Sequence, residues 1–161
     1  LLRTCSKALG MAALRIGFAV ANPAITKILR AAKSPYNVNA VSQAMASVVL
    51  KNPLYKSVYN DIIITSRDML INGLKRLESE GLVEKVYNSR TNFAFVKLDD
   101  ADGVFNSLAD RGIAVRKIGE NHLRITAGRE EENREVLCAI SSYLRMKKGE
   151  GYENRCIFAK D

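Results

Sequence analysis

Between Pro53 and Glu80 the residues Leu54, Val58, Ile62, Met69, Leu70, Leu74 and Leu77 recur mostly three or four positions apart, so this stretch reads as one long helix. Gly81 is a fitting stop for it. Gly73, inside it, costs roughly 1 kcal/mol against alanine. A helix this long can join two domains as well as pack in a core, and the residues on its two sides differ in pattern. Before it, Ile16–Ala21 is a short apolar run that reads as a strand buried on both faces. Asn22-Pro23 opens a helix to about Ala32, which Ser34-Pro35 stops. Asn39 or Ser42 opens another, through about Lys51. After it, strands are expected over 83–87, 92–98, 113–118 and 122–126. Helices are expected over about 101–111 and 130–146. Strands, a helix, strands and a helix describe a small α+β domain.

Chemistry concentrates near the start, in Arg3-Thr4-Cys5-Ser6-Lys7-Ala8-Leu9-Gly10-Met11-Ala12-Ala13-Leu14-Arg15-Ile16-Gly17. One lysine stands among small residues, with two hydroxyls just before it and an arginine eight positions on. An amine attacks a carbonyl only when uncharged, and burial or a nearby cation such as Arg15 favours that form. The Arg15 fork suits a phosphate, and Thr4 and Ser6 offer hydroxyls to the same anion. Gly10, Ala12 and Ala13 keep the loop thin.

The run resembles the lysine motif of the pyridoxal-phosphate aminotransferases that share the aspartate-aminotransferase fold: Ser-Lys, a small and an apolar residue, a small-residue run, then Leu-Arg-x-Gly. Within that family it is most similar to histidinol-phosphate aminotransferases. Ser34-Pro35-Tyr36-Asn37-Val38-Asn39, Thr91-Asn92-Phe93 and Leu123-Arg124-Ile125-Thr126-Ala127-Gly128 match in the same order, and the resemblance runs from about Leu1 to about Lys147.

The resemblance implies an α/β fold class: part of the large domain of the pyridoxal-phosphate transferase fold (residues 1–52), a connecting helix (53–80) and a complete small α+β domain (81–148). A loose tail (149–161) lies outside it. It implies a truncated start, since the segment before the lysine would supply the acid for the pyridine nitrogen and an aromatic to stack on the ring. Lys7 is then the catalytic lysine that holds the cofactor, and Thr4, Ser6 and Arg15 seat the cofactor phosphate. Arg124 clamps a substrate carboxylate or the group in its place, and Arg116 meets the substrate phosphate, with Lys117 its competitor on the opposite face. Asn92, Tyr36 and Asn37 line the pocket.

The activity implied is transfer of an amino group between L-histidinol phosphate and 2-oxoglutarate, in histidine biosynthesis, by a cytoplasmic homodimer. The 161 residues alone are expected to be inactive. An aromatic aminotransferase, a threonine-phosphate decarboxylase or a non-catalytic fragment are the rivals. The chain departs from the family pattern in two places. Ala13 stands where glycine is common. Arg129 follows Gly128 where a threonine often caps the last helix. That loss would weaken the helix start by about 1 kcal/mol unless Gly128 or Thr126 substitutes, with Glu130, Glu131 and Glu132 offsetting part of it through the helix dipole.

The net charge of +8 comes from 25 basic residues spread along the chain. Without a stripe or a motif this argues against a nucleic-acid partner and suits attraction of small phosphorylated anions. No run of about 18 apolar residues suggests a membrane span. The single histidine, His122, argues against a histidine-based metal site. Cys5, Cys138 and Cys156 form no CxxC pair, and their odd number favours free thiols and a reducing compartment.

Overall fold

The computed structural model describes residues 1–149, apart from the side chains of Tyr55 and Lys56, and Phe158. The chain divides into two compact units, Leu1–Ile62 and Ile63–Asp161.

The first unit begins with a two-stranded antiparallel ribbon, β1 (Leu2–Thr4) and β2 (Gly17–Ala19), in which Thr4 pairs with Gly17 and Leu2 with Ala19. A Cβ at Gly17 would lie 2.7 Å from the Arg3 carbonyl oxygen, so the close approach of the strands requires glycine there. The ribbon is exposed on both faces, contrary to the expectation of a doubly buried strand. An apolar run does not reveal whether layers will cover it, and none of the described residues does.

Helix α1 (Pro23–Ala32) starts where the Asn22 side chain accepts the Ile25 N–H at 2.9 Å, with proline in the first turn. Helix α2 (Ala40–Lys51) starts where Asn39 accepts the Ser42 N–H at 2.8 Å. Its buried side, Ser42 and Ala46 with Val49 beside them, serves a small core of Cys5, Leu9, Met11 and Ala46.

Helix α3 (Pro53–Ser79) realises the long periodic stretch. The unit boundary falls within it. Leu54, Val58 and Ile62 are exposed, whereas Leu70, Ile71, Leu74 and Leu77 are buried. Gly73 has a packing reason that periodicity does not disclose. A Cβ there would stand 2.8 Å from Leu137 Cδ2 and nearer still to its Cδ1, so the missing side chain admits the leucine.

The second unit is a two-layer α+β fold. Strands β3 (Lys85–Tyr87), β4 (Phe93–Lys97), β5 (Arg116–Ile118) and β6 (His122–Thr126) form an antiparallel sheet in the order β3-β4-β6-β5. Helix α4 (Ala101–Asp110) crosses from β4 to β5, and α5 (Glu130–Lys147) follows β6. Alternation sends Val86, Ala94, Val96, Leu123 and Ile125 to one face, where they are buried with the second half of α3 and with Val104, Leu108, Leu137 and Ile140. Each such side chain adds about 1.5–3 kcal/mol when fully buried.

The start of α5 is capped by neither Thr126 nor Gly128. Glu132 reaches back to accept the Arg129 N–H at 2.7 Å, the carboxylate half of a capping box. That bond, ahead of the Arg129 guanidinium, holds the Glu132 carboxyl below its usual range.

Cys5 is a free, buried thiol, but Cys138 is disulfide-bonded, which corrects the expectation of free thiols throughout. Sequence spacing does not say which cysteines the fold brings together. Apart from Gly149 and Phe158, the tail over 149–161, with Cys156, lies outside the described residues. Among the described residues no helix is long and apolar enough to cross a membrane.

Candidate functional site: a lysine loop and an arginine-bearing sheet face

The lysine loop is the connection between β1 and β2. The Cys5 N–H donates to the Ile16 carbonyl at 3.1 Å, one step beyond the Thr4–Gly17 pair, and the Met11 N–H donates to the Cys5 carbonyl at 3.0 Å. Buried Cys5, Leu9 and Met11 anchor the loop from beneath. Residues 7–10 make a turn, with the Gly10 N–H on the Lys7 carbonyl at 2.9 Å and Gly10 at φ 63°.

Thr4 and Ser6 come together. The Thr4 hydroxyl donates to Ser6 Oγ at 2.9 Å, and the Ser6 N–H donates to Thr4 Oγ1 at 3.1 Å. Arg15 lies two residues before Gly17, the partner of Thr4, so the ribbon returns it to the hydroxyl end of the loop. Its backbone is left-handed (φ 51°) and its Nη1 donates to the Ala12 carbonyl at 3.0 Å. A non-glycine residue at positive φ is uncommon and is a feature of functional loops. Two paired hydroxyls and a guanidinium on one closed loop are a donor set that fits a phosphate monoester. Lys7 itself is exposed. The four-residue core takes in Cys5, Leu9 and Met11 but not Lys7, and no described residue covers the Lys7 side chain. Tyr36, at φ 58°, is 97% exposed, and Asn37 beside it is also exposed.

The second group lies on the sheet face away from the helices. The register makes one continuous row across all four strands, Tyr87–Phe95–Arg124–Arg116. Cross-strand partners point to the same face, so Arg116 and Arg124 stand side by side. The rival Lys117 pairs with buried Leu123 and therefore faces the helices, where its ammonium meets Asp102 of α4. The next row is Lys85–Lys97–His122–Ile118.

Arg124 lies with its guanidinium carbon 5.0 Å from the centre of the Phe93 ring, and its Nε is buried with no hydrogen-bond partner among the described residues. Such an orphan donor calls for an explanation, and a missing anion is one. Arg124 borders a cleft of about 480 Å³ shared with Tyr87, Arg90, Thr91, Phe93 and Phe95. Asn92 is half-buried between these residues, and its carbonyl accepts the Ala127 N–H at 3.0 Å.

Sequence reasoning missed the aromatic floor. Phe95 stacks on His122 at 5.0 Å and 8°, and Tyr87 lies 5.3 Å from Phe95 with its hydroxyl 3.3 Å from His122 Nε2. Alternation in 93–97 and 85–87 put these rings on one face; only the pairing order of the strands was absent from the pattern. It also missed Asn133, which is 1% exposed. Its spacing to Val136, Leu137 and Ile140 places an amide on an apolar helix face, a signal that was present.

Residues 1–140 match the family model described as aminotransferase class I and II. A histidinol-phosphate aminotransferase of Thermoanaerobacter pseudethanolicus is 43% identical over 148 residues, covering 89% of this chain and 41% of that protein. One from Clostridium novyi is 36% identical over 156 residues, covering 94% and 41%. The chain thus spans about two fifths of the length of these curated relatives. Among solved structures, the histidinol-phosphate aminotransferase of Clostridium acetobutylicum aligns with a TM-score of 0.79 at 22% identity, over 90% of this chain and 45% of that one. That of Sinorhizobium meliloti, in complex with pyridoxal-5'-phosphate, aligns at 0.75 and 22%, over 91% and 41%. The chain has the fold of the corresponding part of these enzymes, and it belongs to the class I and II aminotransferase family.

Proposed function

We propose that the protein carrying this chain is a pyridoxal-phosphate-dependent aminotransferase that moves an amino group between L-histidinol phosphate and 2-oxoglutarate, a step of histidine biosynthesis in the cytoplasm. The single observation that carries the substrate side is the Arg124–Arg116 pair. Two cations directly opposite one another on a sheet repel. A doubly charged phosphate on that face turns the repulsion into a clamp, and the orphaned Arg124 Nε gains an acceptor. The similarity to proteins named histidinol-phosphate aminotransferase supports the same substrate.

On the cofactor side, Thr4, Ser6 and Arg15 seat the phosphate and Lys7 supplies the amine. When bound, pyridoxal phosphate supplies the electron sink that makes the amino-bearing carbon acidic. Lys7 acts as general base and then general acid, taking the proton from that carbon and returning it at the acceptor carbon. Arg124 and Arg116 hold the far end of the substrate, while Asn92, Tyr36 and Asn37 contact the substrate arm.

The large exposed apolar side chains concentrate in the first unit, among them Phe18, Ile25, Ile28, Val41, Met45, Val48, Leu54 and Val58. Apolar surface on this scale supports an assembly with further polypeptide, including a second copy in a homodimer. We read residues 1–52, 53–80 and 81–148 as the end of a cofactor-binding domain, a connecting helix and a substrate-binding domain. The 161 residues do not turn over by themselves.

The test is a competition assay on the complete protein with histidinol phosphate, phenylalanine and threonine phosphate as amino donors. Histidinol phosphate is expected to dominate, with 2-oxoglutarate as acceptor. Preference for either of the others contradicts the substrate assignment.

A further inference from the structure

We propose that Ser66 and Asn133 are positioning residues for Arg124. Together they clamp the backbone at Gly128, just past the end of β6, and so set where the Arg124 guanidinium lies in its cleft. The proposal deepens the reading of Arg124 as an anion-binding residue and rests on it.

The Asn133 side chain is almost wholly buried and its amide is fully engaged. Its Oδ1 accepts the Gly128 N–H at 2.9 Å, and its Nδ2 donates to Ser66 Oγ at 2.8 Å, to the Ser66 carbonyl at 3.1 Å and to the Gly128 carbonyl at 3.3 Å. The Ser66 hydroxyl in turn donates to the Gly128 carbonyl. Both backbone groups of Gly128 are therefore held by α3 and α5 together. A Cβ at Gly128 would stand 3.1 Å from Glu132 Cβ and closer to the end of its carboxylate, so a side chain there would press on Glu132.

The next residue of α3, Arg67, donates from Nη1 to the Thr91 carbonyl at 3.4 Å, and the adjoining Asn92 carbonyl holds the Ala127 N–H. One turn of α3 thus ties down both segments that border Arg124: the loop before β4 and the exit of β6. This matters because little else fixes that side chain. Its Nε has no hydrogen-bond partner among the described residues, Phe93 offers only a ring face, and its cross-strand neighbour Arg116 repels it. The position of the guanidinium follows from its backbone, and a fully satisfied buried network is what keeps backbone rigid.

The experiment is side-chain NMR of the 161-residue chain, with inorganic phosphate as probe, on wild type, Ser66→Ala, Ser66→Thr and Asn133→Ala. The Arg124 Nε–H signal reads the guanidinium directly, and the His122 ring signals, one row away on the same face, report the integrity of the sheet. Ser66→Ala is expected to move the Nε–H signal, to speed its hydrogen exchange and to weaken phosphate binding by about tenfold, with the His122 signals in place. Ser66→Thr, which keeps a hydroxyl, is expected to restore all three. Asn133→Ala is expected to go further in the same direction. If it unfolds, the serine pair decides alone. An Nε–H signal indifferent to Ser66→Ala, or one that moves only when the His122 signals move with it, overturns the proposal. If the Nε–H signal responds to Ser66→Ala but wild type ignores phosphate, the positioning stands and the anion-site reading fails.

Discussion

Lys7 and Arg124 test different halves of the proposed function. With the complete protein, Arg124→Ala removes a charge-assisted contact to the substrate while leaving the lysine loop intact. The KM for histidinol phosphate should rise at least about tenfold with cofactor affinity unchanged, because losing a hydrogen bond to a charged group costs about 1.5–3 kcal/mol. Steady-state kinetics beside a cofactor titration check this, and an unchanged KM contradicts it. The arginine was legible as a site residue only through its resemblance to a family pattern, because strand alternation alone allows an outward-facing side chain with no function. What the residues could not reveal was that Arg116 is its cross-strand neighbour. Facing is decided by which strands pair, and that is set by the whole sheet.

Asp100 shows a residue whose role is purely to hold the fold. It accepts the Gly103 N–H at 2.9 Å at the start of α4, takes the Tyr143 hydroxyl at 2.7 Å and ion-pairs with Lys147 of α5. The Lys147 hydrogen bond, then Tyr143, then Gly103, hold its carboxyl at about 2, against an ordinary 3.8. A carboxyl held low in the folded state stabilises above its unfolded value, and that stabilisation is lost as the pH falls. Stability of the second unit should therefore drop between about pH 4 and pH 2, by about 1–2 kcal/mol after allowing for partial solvent screening. Asp100→Asn should flatten that part of the curve. Urea melts followed across this pH range check both statements.

At the scale of elements, α3 carries the clearest prediction. Gly73→Ala improves intrinsic helix propensity by about 1 kcal/mol, but the added methyl meets Leu137, and overpacking costs about 1–3 kcal/mol. The net effect is expected to be destabilising, measured as a lower urea midpoint with an unchanged slope. A more stable variant would mean that Leu137 moves aside freely. The helices were largely legible: Asn22-Pro23, Asn39 and Gly81 each mark an end that local chemistry decides, and α1, α2, α4 and α5 begin within a residue of the expected positions. The strand edges were less so. The expected strand over 113–118 narrows to Arg116–Ile118, because pairing with β6 begins only at Arg116. The cap of α5 was misread for a similar reason. Attention to what precedes the helix overlooks a carboxylate reaching back from Glu132.

At the scale of the molecule, the two units differ in what they bury. The second holds a continuous core running through α3, the sheet, α4 and α5, whereas among the described residues the first holds four buried apolar ones and leaves much of α1 and α2 uncovered. Protection of backbone amides follows buried contacts. Hydrogen exchange on the 161-residue chain should accordingly show slow amides in β4, β6 and α5 and fast ones in β1, β2 and α1; equal protection in both would contradict this division. The sequence does not disclose this uneven placement, since an apolar stripe such as Leu54–Val58–Ile62 looks the same whether or not a partner covers it.

The claim on which the function rests is that Lys7 carries the cofactor. It is tested by incubating the complete protein with pyridoxal phosphate, reducing with borohydride and mapping the label by peptide mass spectrometry. The label is expected on the peptide that contains Lys7, and Lys7→Ala is expected to abolish both labelling and turnover. Stable label on a different lysine, or turnover near wild type in the variant, would contradict the account.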